Sequence, residues 1–277
     1  MAIETDVARH YGSAGIAERI LAALRVAQGP DAAVTVDALA PADHFHGGGL
    51  AATQELIAIL RPQAGERLLD IGSGIGGPAR WIAAKFGVHV TGVDLTPEFC
   101  AAAEQLSRAT GLSDKVTIKN GSALALPVPD NAFDRAYSQN VIMNIADKPQ
   151  FYSEAFRALR PGGVFAIANA CAGPGGAPHY PQMWASTAAT SFLATPEETR
   201  RDMTEAGFTI VAFRDTTAGR LPAQTLQTHQ LERGAGMPLG IHVLMGADVV
   251  REAMQNSARN LAEGRIVMIE ALLRKPG

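Results

Sequence analysis

The residue types best suited to chemistry lie in one run, Arg67-Leu68-Leu69-Asp70-Ile71-Gly72-Ser73-Gly74-Ile75-Gly76-Gly77-Pro78. Here an apolar strand passes through a loop almost free of side chains into a helix. Gly72, Gly74 and Gly76 lack a Cβ, so the loop can take φ > 0 and a ligand can approach its backbone closely. The helix that follows offers unpaired N–H groups at its start, and Pro78 fits that first turn because its missing N–H costs nothing there. Such a loop suits a nucleotide-like cofactor, held against Gly72, Ser73, Gly74 and Gly76. The next strand, Val88-His89-Val90-Thr91-Gly92-Val93, ends at Asp94, an acid placed to hold a ribose diol at the neighbouring strand tip.

Spacing alone leaves two cofactor classes open. Gly72, Gly74 and Gly77 satisfy G-x-G-x-x-G, and Asp94 stands about 20 residues further on, as in a dinucleotide-binding fold. An NAD-dependent oxidoreductase is therefore the rival class. Asp70 separates the two: a carboxylate two residues before the first glycine repels a pyrophosphate but attracts a sulfonium with its α-ammonium group. S-adenosylmethionine is the expected cofactor.

On Leu69-Asp70-Ile71-Gly72-Ser73-Gly74-Ile75-Gly76, Gly92-Val93-Asp94-Leu95 and Leu159-Arg160-Pro161-Gly162-Gly163, the sequence resembles the class I S-adenosylmethionine-dependent methyltransferases. Asp43-His44-Phe45-His46-Gly47-Gly48-Gly49-Leu50 and Val141-Ile142-Met143-Asn144-Ile145-Ala146-Asp147-Lys148 look similar to the bacterial sarcosine/dimethylglycine N-methyltransferase-like group. The resemblance implies that Asp94 binds both ribose hydroxyls and that Leu95 packs on the adenine. Gly121-Ser122-Ala123 stands where relatives commonly have Gly-Asp-Ala, so Ser122 accepts from the adenine amino group more weakly than a carboxylate does. Ala123, and Gln139 after the fourth strand, complete the expected cofactor set.

Methyl transfer from a sulfonium is an in-line displacement, so the protein has chiefly to position its reactants. A neutral amine needs no base in that step, whereas a phenol or carbon acid usually does. Asn140 follows the fourth strand at the edge where α/β folds bind ligands, and it cannot take a proton at neutral pH. Its expected role is to accept from a substrate amine or to orient the cofactor's methionine end. Tyr11, His46, His179, Trp184 and His242 are the other candidate catalytic residues. Tyr11 and Trp184 suit an aromatic wall for a cationic amine. His46, His179 and His242 are candidate bases or substrate contacts. The H-x-H of His44 and His46 has no third ligand at recognisable spacing, so no metal is expected. The acceptor is read as a small molecule methylated on nitrogen, with oxygen next and carbon or sulfur behind.

Positioning these residues needs a layered α/β scaffold. Strands are expected near 66–71, 88–93, 115–119, 133–138, 163–169, 207–214 and 265–273, with helices near 77–85, 97–109, 148–159 and 196–206. The pattern implies a Rossmann-like, seven-stranded, mostly parallel sheet with helices on both faces and helical lid additions. Residues 1–62 read as an N-terminal lid and connector. In that part Ile16 to Leu24 form a helix, Gly29 to Asp43 a linker, and Leu50 to Leu60 a second helix. Residues 63–277 read as the catalytic core, with a substrate-covering helical insertion at about 219–262. Leu226, Leu231, Leu239, Leu244, Met245, Val249 and Met254 of that insertion suit a pocket wall or a homodimer interface equally.

The chain has 277 residues, with 24 Lys and Arg against 27 Asp and Glu, for a net charge of −3. No basic block is dense enough to follow a phosphate backbone, so nucleic acid is not the expected partner. The start lacks the basic and apolar regions of a leader and no uninterrupted apolar run would span a membrane, so a cytoplasmic protein is expected. Cys100 and Cys171 lack ligand spacing and read as small buried hydrophobes.

Overall fold

A computed structural model describes residues 2–12, 14–44, 46–220 and 239–277. Seven strands form one sheet: β1 (Arg67–Ile71), β2 (His89–Asp94), β3 (Val116–Asn120), β4 (Phe133–Gln139), β5 (Leu159–Ala172), β6 (Thr209–Asp215) and β7 (Ile266–Arg274). Their order is β3-β2-β1-β4-β5-β7-β6. The first five run parallel, and β7 lies antiparallel between β5 and β6. Chain order reverses between β1 and β4, which opens a crevice at the carboxyl ends of the strands. Asp70, Asp94 and Gln139 emerge at that edge.

Period-two alternation sends successive strand residues to opposite layers. Leu68, Val90, Tyr137 and Ala166 pack against Leu56 and Leu60 of α4 (Gly49–Leu60) and Trp81 and Ile82 of α5 (Gly77–Phe86). Their neighbours Leu69, Ala136, Phe165 and Ile167 pack against Phe151 and Tyr152 of α7 (Lys148–Ala158) and Met203 of α8 (Pro196–Glu205). Strands buried on both faces explain why the sequence shows near-continuous apolar runs there.

The N-terminal part is more helical than expected. α1 (Ala2–Tyr11) precedes α2 (Ile16–Gln28), and the expected linker holds α3 (Val36–Asp43) despite Pro41 within it. Thr35 caps α3 by accepting from the Ala38 amide at 3.1 Å. Ile16, Ile20 and Leu24 bury against Phe99 and Leu106 of α6 (Pro97–Ala109), with Leu39 of α3 and Leu239 in the same cluster. A wholly buried Arg80 of α5 donates to Asp43 Oδ2 at 2.9 Å and ties α3 to the core. The two helices approach so closely that a Cβ on Gly77 would lie 2.0 Å from the Asp43 carbonyl oxygen.

In the late insertion, a short helix (His242–Met245) and a long one (Ala247–Ala262) lead into β7. Leu226 and Leu231 lie outside the described residues. The glycine-rich segment after β5 returns to the sheet edge, where the Gly173 amide donates to the Arg265 carbonyl at 2.8 Å and the Gly175 amide to that of Gly264 at 2.9 Å. No described helix is long and apolar enough to cross a membrane.

Candidate active site

A cavity of about 380 Å³ runs along the tips of β1, β2 and β4, roofed by α1, the turn between α3 and α4, and the long helix Ala247–Ala262. At its sheet end lie the two acids. Asp70 is buried, and the Tyr137 hydroxyl donates to its Oδ2 at 2.7 Å. Burial pushes its carboxyl up to about 7, against the Tyr137 hydrogen bond, and the neighbouring charge of Asp94 adds to the rise. Asp94 takes the Gly74 amide on Oδ2 at 2.7 Å and the Thr96 amide on Oδ1 at 2.9 Å. Burial raises its pKa and these backbone donors oppose the rise.

Gly74 has φ 53°, and a Cβ there would meet no protein atom within 4 Å, so the space before it belongs to the cavity. Gly72, Ser73, Leu95, Ser122, Ala123 and Gln139 also line the cavity. Gly76 does not. It starts α5 in the left-handed region at φ 76°, and a Cβ there would press on Ala103 and Arg80, so its glycine serves packing.

One hydroxyl organises the end of the cavity bounded by the turn between α3 and α4. Thr53 on α4 is fully buried and donates to Gln139 Oε1 at 3.2 Å. Its oxygen also meets His44 Nδ1 at 3.0 Å and His46 Nε2 at 3.1 Å. Thr53 thus joins α4 to the turn before it and to the tip of β4. Burial, with the Arg80 charge second, lowers the pKa of His44 to about 4. Burial followed by His44 lowers that of His46 to about 3. Both rings are neutral near pH 7. Ser73 Oγ, Gln139 Nε2, His44 Nε2 and Asp43 Oδ1 are buried without a hydrogen-bond partner, and all four residues line this cavity.

Of the candidate catalytic residues, Tyr11, His46, Asn140, Trp184 and His242 line the cavity. Asn140 sits at the β4 tip with φ 56°, a left-handed conformation that asparagine tolerates better than most side chains. Tyr11 donates to Asn144 Oδ1 at 3.1 Å, and burial, then Asp94, raises its pKa. Trp184 Nε1 donates to Ser191 Oγ at 3.0 Å. His179 is not in the cavity. Its ring pairs with Glu263 at 2.9 Å while Asn260 brackets its backbone, so it fastens the loop after β5 to the end of the long helix.

Glu4, Asn144 and Thr53 are site residues that sequence reading missed. Glu4 of α1 accepts from Ser122 Oγ, which brings the first helix to the third strand's loop. Asn144 donates to the carbonyls of Trp184 at 2.9 Å and Thr190 at 2.8 Å. It lies in the quoted Val141–Lys148 motif, so a signal for it existed. For Thr53 and Glu4 none did.

Residues 69–167 match the family model described as a methyltransferase domain. The chain is 39% identical over 127 residues to phosphoethanolamine N-methyltransferase 1 of Arabidopsis thaliana, covering 46% of this chain and 26% of that protein. It thus spans about a quarter of that relative's length. Geranyl diphosphate C-methyltransferase from Streptomyces coelicolor A3(2), solved with Mg2+, geranyl diphosphate and S-adenosyl-L-homocysteine, aligns with a TM-score of 0.72 at 19% identity. The match covers 99% of this chain and 98% of that one. A putative sarcosine dimethylglycine methyltransferase from Galdieria sulphuraria aligns with a TM-score of 0.67 at 21% identity, over 82% and 85% of the two chains. At these identities the two structures establish the fold.

Proposed function

With residues 69–167 forming a methyltransferase domain, we propose that the chain is an S-adenosylmethionine-dependent methyltransferase acting on a small molecule, with nitrogen as the methyl acceptor. The observation that carries this reading is the pair of carboxyls, Asp70 and Asp94, on the cavity wall within the stretch that matches the methyltransferase domain model. Ser73 and Gln139 line the cavity as neutral hydrogen-bonding residues and Asp70 as an acid, a combination that suits the carboxylate and ammonium of that cofactor. In this reading Asp94 holds the ribose hydroxyls, Leu95, Ser122 and Ala123 bound the adenine, and Gly72 and Gly74 give it room. When bound, the cofactor supplies a methyl group on a sulfonium, already activated for displacement.

The chain's own contribution is placement. Holding two reactants in line is worth roughly 7–11 kcal/mol, more than a general base usually adds. Tyr11, Asn140, Trp184 and the neutral His46 orient the acceptor. The preference for nitrogen is supported by the composition of this wall. Burial keeps Tyr11 protonated, His46 has a pKa of about 3, and Asn140 and Asn144 cannot accept a proton, which leaves His242 as the lining histidine that a base test must address. An amine brings its own lone pair. The name of the plant relative, an N-methyltransferase, agrees with this.

The reading includes a cytoplasmic setting, supported by two buried cysteines that form no disulfide. It includes a free metabolite as partner, supported by the net charge of −3. The late insertion serves as pocket wall, since Val250, Met254 and Leu261 face the cavity; a homodimer would use other surfaces. Titration calorimetry with S-adenosylmethionine, S-adenosylhomocysteine and NAD tests the assignment. The two adenosyl ligands should bind and NAD should not; tight NAD binding alone would remove it.

A further inference from the structure

The far part of the cavity, away from the glycine loop, has a composition that narrows the acceptor. Its surface is made by Met143, Val250, Met254, Leu261, Ile266 and Met268. The polar groups among them are already spent on one another. Gln182 takes the Ser257 hydroxyl on Oε1 at 2.7 Å and gives its Nε2 proton to the His179 carbonyl at 2.8 Å. Asn144 uses both ends of its amide on Tyr11, Trp184 and Thr190, and the Trp184 indole is taken by Ser191. A ligand body lying there meets thioethers and aliphatic carbon, and meets polar atoms whose bonds it would have to break.

Charge points the same way. The charged residues in the described lining are Glu4, Asp43, Asp70 and Asp94, all acidic, and none of the described lining residues is Lys or Arg. Two arginines of neighbouring elements carry ion pairs of their own, Arg220 at the Gly48 turn and so at the opposite end from the apolar chamber. Arg80 pairs with Asp43 and the Ala103 carbonyl. Arg220 pairs with Glu55 at 2.7 Å and Glu270 at 3.1 Å. Among the described residues, a phosphate or carboxylate seated beside Met143, Met254, Leu261 and Met268 would lose water and meet no lining Lys or Arg.

We propose that the acceptor is a hydrocarbon-bodied molecule without phosphate or carboxylate, its apolar part seated against Met143, Met254, Leu261 and Met268. This sets the chain apart from the phosphorylated compounds in the names of its plant relative and its Streptomyces structural neighbour. It rests on the methyltransferase reading, because the adenosyl ligand must fill the other end. It does not depend on which atom receives the methyl group.

The test is calorimetry on the full chain saturated with S-adenosylhomocysteine, titrated with geranylamine, geraniol, geranyl diphosphate and phosphoethanolamine. At least one of the first two should bind at least tenfold more tightly than either phosphorylated probe. Equal or tighter binding of geranyl diphosphate or phosphoethanolamine overturns the inference, as does binding of none of the four. If S-adenosylhomocysteine itself fails to bind, the methyltransferase reading falls first, and that failure is seen before any acceptor probe is added. As a second measurement, Met254→Lys places an ammonium in the chamber wall. It should weaken the favoured neutral or cationic probe and improve geranyl diphosphate at least tenfold. No change in that ratio would show that the chamber is not where the probes sit.

Discussion

Asp70 and Tyr137 are register partners across the β1–β4 ladder, and the Tyr137 hydroxyl donates to Asp70 Oδ2 at 2.7 Å. The sheet thereby holds in place one acid of the proposed cofactor wall. Burial raises that acid to about 7, so a large share of it carries a proton near neutral pH. A bound cation favours the ionised form. Binding of S-adenosylmethionine at pH 6 to 6.5 should release a proton, visible as a dependence of calorimetric enthalpy on buffer ionisation enthalpy. Asp70→Asn should abolish that dependence; its persistence would place the proton elsewhere.

The same shift has a stability sign. The raised folded-state pKa means that Asp70 contributes stability that is complete below about 4 and is lost as pH rises to about 7, by at most about 1.4 kcal/mol per pH unit. Denaturant midpoints of the ligand-free protein between pH 4 and 7 should therefore fall less steeply for Asp70→Asn than for the parent. Equal slopes would mean that Asp70 is ionised in the folded protein well below pH 7.

Asp94 and Gly74 act together, since the Gly74 amide holds the Asp94 carboxylate. Asp94→Ala should weaken S-adenosylhomocysteine binding by about 1–3 kcal/mol, the scale of lost hydrogen bonds to a charged group. Gly74→Val should be worse, because the new side chain enters the ligand's space and strains a backbone at φ 53°. Parent-like affinity in both variants would put the ligand outside this loop.

Thr53 serves Gln139, His44 and His46 with one hydroxyl. Thr53→Val removes it at nearly constant shape and leaves buried His44 and Gln139 and the half-buried His46 without this partner. The expected cost is on the order of 1–3 kcal/mol of stability, with weaker S-adenosylhomocysteine binding because the Gln139 amide loses its orientation. Thr53→Ser should restore most of both, and equal losses in the two variants would point to the methyl group instead.

For an amine acceptor the main ionisation is the substrate's own, so kcat/KM should climb with pH until the amine is deprotonated. His242→Ala and His46→Ala should mainly weaken binding, and Asn140→Ala should slow transfer. Single-turnover rates with the identified acceptor check this. A loss of about 10²–10⁴-fold in kcat confined to one histidine variant would identify a general base and displace nitrogen as the acceptor.

The strand–glycine–helix run and the acid at the next strand tip were legible in the sequence because both are local. Apolar β-branched runs, glycines at fixed spacing and Asp94 express one turn geometry that needs no distant partner. The inner strands were readable for the same reason, burial on both faces leaving apolar runs in β1, β4 and β5, whereas the edge strands β3 and β6 show partial alternation. α1 was not, since Ile3 and Val7 make too thin a stripe. α3 was hidden by Pro41 within it, and its place against α5 is held by the Arg80–Asp43 pair, which only the fold brings together. Tertiary structure alone decided which polar residues share the cavity. It drew in Glu4 and Asn144, set Thr53 behind the wall on His44, His46 and Gln139, turned His179 outward to Glu263 and left Gly76 to packing. Residues far apart in sequence become neighbours only when the sheet order and the helical roof are set, so their roles are a property of the fold and not of any segment.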